Sequence, residues 1–238
     1  MRIAVFSDVH ANLPALHAVL ADIDAQQIDR VYCLGDLVGY GAYPNEVIEL
    51  IRERAIPTIM GNYDEGVGFE KDDCGCAYRD AEMRRLGDIS LAWTKEHVAP
   101  ENKAFLRSLL PQIRLEVNGK RVLMVHGSPR KINEYLYEDR GQASLERTAK
   151  GADADVLVFG HTHLPYVKEV AGVLFVNTGS AGKPKDRDVR AAYAVIDFGQ
   201  EVAVAIRRVA YDVPTAAAAV RASGLPPHFA ELLETGRG

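Results

Sequence analysis

The stretch "IAVFSDVHANLPALHAVLADI" (residues 3–23) changes its period halfway along. Residues 3–7 are a short apolar run rich in branched side chains, the composition of a strand covered on both faces. Leu13, Leu16, Leu20 and Ile23 then recur at helical spacing, with Asn12 placed to cap the helix and Pro14 in its first turn. The alternation repeats. "VYCL" (31–34) is a second apolar run, Val47, Ile48 and Ile51 behind Pro44 mark a second helix, and "IPTIM" (56–60) is a third run. Strand, helix, strand, helix, strand predicts right-handed βαβ units and a largely parallel sheet.

Two further runs, "RVLMV" (121–125) and "DVLVF" (155–159), read as strands, but the later sequence is punctuated differently. "EVNGKRV" (116–122) carries an Asn-Gly hairpin signal, "KEVAGVLFV" (168–176) turns at Ala171-Gly172, and residues 191–209 alternate around Gly199-Gln200. A second, more antiparallel sheet packed on the first is expected, with helices outside. Residues 76–109 read as an inserted helical region within a single domain spanning 1–238, and a last helix near 213–222 stops at Gly224.

Composition narrows the function classes. The chain has 238 residues, 47% apolar and 26% charged, which is globular rather than disordered, and a net charge of −5 offers nucleic acid no general attraction. Three cysteines make no disulfide framework and fit a reducing cytoplasm; Cys74 and Cys76 in "DDCGCAY" lack the second thiol pair of a structural zinc site, so a local packing role is expected. The start "MRIAVFSDVH" reaches Asp8 and His10 without a signal-peptide apolar region, and nowhere do about 18 apolar residues run together to span a membrane.

The residues just after each of the five runs carry the chemistry: "DVH" (8–10), "GDLVG" (35–39), "GNYD" (61–64), "HGSP" (126–129) and "GHTH" (160–163). Ligands in open α/β sheets gather at the carboxyl ends of strands, so Asp8, His10, Asp36, Asn62, His126, His161 and His163 are expected to converge. Each alone has a bland reading as a turn, a cap or a core histidine; five together in that context do not. Three oxygen donors and four imidazoles suit zinc, manganese or iron, and seven donors fill two sites if one carboxylate bridges. The i, i+2 spacing in "DVH" and "GHTH" puts both side chains on one side of an extended stretch. His17, His97 and His228 lack this context and read as surface residues.

In that order, "DVH", "GDLV", "GNYD", "HG" and "GHTH" resemble the signature of the calcineurin-like metallophosphoesterases, from residue 3 to about 198, and "NTGS" (177–180) is similar to the small bacterial and archaeal phosphodiesterases. The resemblance implies an α/β fold, a four-layer αββα sandwich of two mixed β-sheets flanked by helices. It implies two divalent transition-metal ions (manganese, zinc or iron). Asp8, His10 and His163 would bind the first, Asn62, His126 and His161 the second, and Asp36 would bridge both. A metal-bridging hydroxide would attack a small or nucleotide-like phosphodiester, with Asp36, Asn62, Tyr63 and His126 at the catalytic centre. Tyr63 is a departure, because many relatives carry a histidine there that is thought to assist the leaving group. Gly61 is expected to let the backbone turn sharply before Asn62. Asn12 at a helix start, Tyr63 and Arg130 are the candidate substrate contacts. Phosphomonoesterase, protein phosphatase and catalytically silent scaffold are the alternatives; the oligomeric state is left unassigned.

Overall fold

The computed structural model describes residues 1–78 and 80–237; Arg79, within the expected helical insertion, lies outside them. The first elements are β1 (Arg2–Phe6), α1 (Leu13–Asp24), β2 (Arg30–Cys33), α2 (Pro44–Glu53), α3 (Asn62–Gly68), α4 (Ala81–His97) and α5 (Pro100–Ser108). Then come β3 (Gln112–Val117), β4 (Lys120–Val125), α6 (Gln142–Ala152), β5 (Val156–Phe159), β6 (Tyr166–Val170) and β7 (Val173–Asn177). The chain closes with β8 (Ala191–Phe198), β9 (Val202–Val209), α7 (Val213–Ala222) and α8 (His228–Thr235). Helices α4 and α5 occupy the segment expected to be helical, while α3, α6 and α8 lie where no helix is expected.

The strands form two sheets, ordered β2-β1-β8-β9 and β3-β4-β5-β7-β6. Side-chain alternation sorts the layers. Ile3, Val5, Val122, Met124, Val156 and Val158 face each other between the sheets. Their neighbours Ala4 and Phe6 pack outward against α1 and α2. Leu123, Val125, Leu157 and Phe159 pack outward against α6. The result is a four-layer α/β sandwich.

The division into a parallel and an antiparallel sheet is corrected. Both sheets are mixed: one has a parallel pair, β2–β1, at its edge, followed by antiparallel β8 and β9, and the other has a parallel centre, β4–β5–β7, with antiparallel flanks. The physical reason lies in β8, whose residues are nearly all buried; it is covered on both sides only by entering between β1 and the exposed-edge strand β9. "IPTIM" is a second correction. It runs extended beside β2 but makes only isolated bridges, Cys33 with Thr58 and Ile59 with Leu110, because Pro57 has no N–H to extend the ladder.

Candidate metal centre

The two sheets bring their strand ends to one place. Asp8 and His10 follow β1, Asp36 follows β2, Asn62 opens α3, His126 follows β4, and His161 and His163 follow β5. Donor atoms of Asp8, His10 and His163 cluster within 4.8 Å of one another, and those of Asp36, His126 and His161 form a second such group. Asp36 Oδ2 lies between them, 3.7 Å from His10 Nε2 and 3.4 Å from His126 Nε2. Asn62 Oδ1 is 3.0 Å from His126 Nε2. All seven side chains are buried.

The local backbone is strained to achieve this. Asp8 (φ 54°), His10 (49°), Asp36 (53°), His161 (64°) and His163 (61°) are all left-handed. Non-glycine residues in that region cost roughly 1–3 kcal/mol each and persist only where the surroundings hold them. The paired spacing therefore does not work through extended chain, as expected; both members of each pair sit in tight left-handed bends. Gly61 is corrected too. Its φ of −92° and ψ of 171° are ordinary extended values. Glycine is needed because a Cβ there would come within 2.2 Å of Asp36 N and Oδ1.

Neighbouring groups fix the direction of each donor. His10 Nδ1 lies 3.0 Å from Val38 O and His126 Nδ1 2.8 Å from Leu34 O, while His163 Nδ1 meets Lys183 O. An Nδ1–H donating to each carbonyl leaves Nε2 as the inward lone pair. Asn62 Nδ2 donates to Cys74 O at 3.0 Å and to Cys76 Sγ at 3.2 Å, which leaves Oδ1 for the centre. Asp8 Oδ2 accepts from Ser7 Oγ and His161 N, and Asp36 Oδ1 from Tyr63 N.

These donors fit cations. Among the described residues, Asp8 Oδ1 and His161 Nε2 are buried side-chain atoms without a hydrogen-bond partner. His10 Nε2 and His163 Nε2, both lone pairs in this tautomer, face each other at 3.2 Å. Buried acceptors left this way are costly unless a positive charge lies among them. The electrostatics agree for every ionisable donor except His126. Burial disfavours charge on Asp8, yet attraction to His163, His126 and His10 outweighs it and holds the carboxyl well below the usual range. Burial pushes His161 down to about 3, and burial with nearby Lys185 pushes His163 down to about 3. Burial opposes charge on His126 as well, but Asp36 overcomes it and raises the imidazole to about 9.

Of the expected substrate contacts, Asn12 and Arg130 lie off the cavity over the centre, whereas Tyr63 borders it. Asn12 caps α1, accepting from Ala15 N, and its amide donates to Gly182 O at 2.8 Å and Tyr211 Oη at 3.2 Å, so both ends are engaged within the protein. Arg130 pairs with Glu134 outside the cavity. Tyr63 is fully buried behind His10 and Tyr40, with its hydroxyl 3.5 Å from Ser90 Oγ. A cavity of about 540 Å³ opens over the centre, and its wall includes Tyr135, Tyr137, Lys183, Lys185 and His228. Tyr135 packs on His161 at 4.0 Å and stacks near-parallel on Tyr137. Lys183 is buried with its ammonium 4.6 Å above the Tyr40 ring, and burial followed by Lys185 holds its pKa well below the usual lysine range. The surface reading of His228 is corrected: it is half-buried on the cavity wall. His17 and His97 are exposed, as expected. The signal for α8 was present, as Phe229, Leu232 and Leu233 recur at helical spacing after Pro226-Pro227.

The chain is similar to known proteins over nearly its full length. An uncharacterized protein of Methanocaldococcus jannaschii, MJ0912, is 36% identical, covering 99% of this chain and 98% of its own. Phosphodiesterase YfcE of Escherichia coli is 25% identical over 83% of this chain and 88% of its own. The crystal structure of a metallophosphoesterase from Sphaerobacter thermophilus superposes with a TM-score of 0.80 at 31% identity, covering 99% of this chain and all of that one. Residues 1–201 match the family model described as a calcineurin-like phosphoesterase superfamily domain, and with these relatives they show that the chain belongs to that superfamily.

Proposed function

We propose that the protein is a phosphodiesterase with a dinuclear metal centre, acting on small or nucleotide-like phosphodiesters. The observation that carries this reading is the position of Asp36 Oδ2, within 3.7 Å of a donor in each cluster. Two divalent cations there would supply Lewis-acid polarisation of a phosphoryl oxygen and a lowered pKa for water. The chain's own groups do the rest. The carbonyls of Leu34, Val38 and Lys183 hold three imidazoles in register, and Asp64 holds the backbone of Asp36. Lys185 brings positive charge to the cavity, which suits a phosphate. The Tyr135–Tyr137 stack beside His161 offers a planar surface to the aromatic or nucleoside part of a diester. A walled cavity favours a small substrate over a protein surface. The free thiols and net acidity fit a cytoplasmic enzyme that does not engage nucleic acid.

Purified protein reconstituted with manganese or zinc should hold two ions per chain and hydrolyse model diesters faster than monoesters, with activity lost to a chelator. Asp36→Asn should lower metal content and slow turnover by more than the roughly 10–100-fold seen when an outer-sphere partner is removed. Two retained ions with wild-type turnover would overturn the shared-ligand assignment. A monoester preference would make the protein a phosphomonoesterase, and an inert, metal-loaded protein would make it a scaffold.

A further inference from the structure

Cys74 and Cys76 do more than pack locally. Their sulfurs lie 3.0 Å apart across Gly75, whose φ of +70° closes the turn. The turn is tied in place: Asn133 Nδ2 donates to Gly75 O at 3.0 Å, and Gly75 N donates to Asp73 Oδ1. Cys74 is buried, whereas Cys76 is half-buried and lines the cavity, so one sulfur meets solutes and the other waits behind it. Both residues hold Asn62, Cys74 through its carbonyl and Cys76 through its sulfur. The pair is not itself placed to hold a cation. Among the described residues, the groups of three or more metal-ligating side chains are those of the centre, and neither contains a cysteine.

We propose that Cys74 and Cys76 form a reversible disulfide under hydroperoxides, and that the bond weakens the hold on the second metal by removing one of the two contacts that aim Asn62. The coupling to metal rests on the dinuclear reading above; the disulfide does not. The Cys76 thiol gives up its proton and its sulfur attacks one peroxide oxygen; the O–O bond breaks, and its electron pair leaves with the other oxygen, which takes up that proton and departs as water, or as an alcohol from an organic hydroperoxide. The Cys74 sulfur then displaces the oxygen of the resulting sulfenic acid, which leaves as a second water as the S–S bond forms. A covalent S–S separation is about 2.05 Å. Closing from 3.0 Å draws Cys76 toward Cys74 and away from the Asn62 amide, which loses a thiol acceptor. The Nδ2 bond to Cys74 O remains, so Asn62 Oδ1 keeps one of the two contacts that fix its direction. A dithiol reverses the bond.

The test uses zinc-loaded protein, since zinc has no redox chemistry of its own. After hydrogen peroxide, intact mass should fall by two hydrogen atoms, two of the three thiols should stop reacting with a thiol reagent under denaturing conditions, and peptide mapping should join residues 74 and 76. Competition with a chelator should show one zinc held roughly 10–100-fold more weakly, with dithiothreitol restoring it. Cys76→Ser and, separately, Cys74→Ala should keep their own zinc affinity unchanged by peroxide. Thiols that survive peroxide, or are lost as over-oxidised sulfur without a cross-link, would overturn the proposal. A disulfide that forms with zinc affinity unaltered would overturn the link to Asn62. Because mass and thiol counts do not depend on hydrolysis, failure of the phosphodiesterase reading would be seen separately.

Discussion

Tyr63 shows how a single residue is legible in the sequence as a departure and yet not as a position. The spacing of "GNYD" placed it beside the centre, and it is beside the centre, with its ring 5.6 Å from that of His10. Its backbone N–H serves Asp36 Oδ1 at 2.8 Å, but its hydroxyl points to Ser90 at a distance where a hydrogen bond is weak. Gly39 keeps the ring in that place, because a Cβ there would come within 2.3 Å of Tyr63 Cδ1. Tyr63→Phe, which keeps the ring and the backbone donor, should therefore change kcat/KM by less than about twofold, equivalent to about 0.4 kcal/mol, across diesters of graded leaving-group pKa. A selective loss on substrates with basic leaving groups would show that the hydroxyl reaches them after all. Lys183 and Tyr135, which also line the cavity, come from loops after β7 and β4 whose sequences carry no periodic signal.

At the scale of elements, α3 is where the sequence pattern and the packing part company. A seven-residue helix carrying Gly66 and Gly68 has little intrinsic stability. What holds it is Asp64, whose carboxylate accepts from Asp36 N at 2.8 Å, Leu37 N at 2.9 Å and its own helix's Gly61 N at 3.0 Å. One side chain thus caps α3 and fastens the loop after β2, which carries Asp36. Burial and the Asp36 charge raise the Asp64 carboxyl to about 7, so holding it ionised depends on those three donors. Asp64→Asn turns an amide NH2 toward backbone N–H groups. It should cost roughly 2–4 kcal/mol of stability, in the range for losing charged hydrogen bonds and orphaning a buried donor, and should reduce metal content with it. Denaturant unfolding of the metal-free protein together with elemental analysis would check both; unchanged stability would mean that α3 is held by its apolar contacts alone. The hairpins at Asn118-Gly119 and Ala171-Gly172 and the caps at Asn12 and Asp212 lie where turn and cap chemistry put them, because those signals act within a few residues.

Across the whole molecule, α8, packed on α7, closes one side of the cavity. Phe229 of α8 is buried among Leu86, Ala217, Val220 and Leu233 and meets the Tyr40 ring edge-on at 5.2 Å. Tyr40 in turn packs on His10 at 5.0 Å, so the C-terminal helices support the centre although they lie beyond the matched family residues. Phe229→Ala should cost roughly 3–5 kcal/mol, as for other buried aromatic truncations, and raise KM for diesters while metal content stays at the wild-type level. A stability loss with KM unmoved would make α8 a buttress with no part in substrate binding. By itself the sequence determined most of the strands and helices, the turns and the set of donors at strand ends, because periodicity, caps and ligand chemistry are written in residues near one another. Only the tertiary structure decided which strands share a sheet, since β8 joins β1 from the far end of the chain and no local signal specifies that pairing. The same holds for the place of Asp36 Oδ2 between the two donor clusters, the buried tyrosine, the Asn62–cysteine contacts and the wall made by α8. Each depends on distances between segments far apart in the chain, and these are set by how the two sheets and their helices bury their apolar faces together.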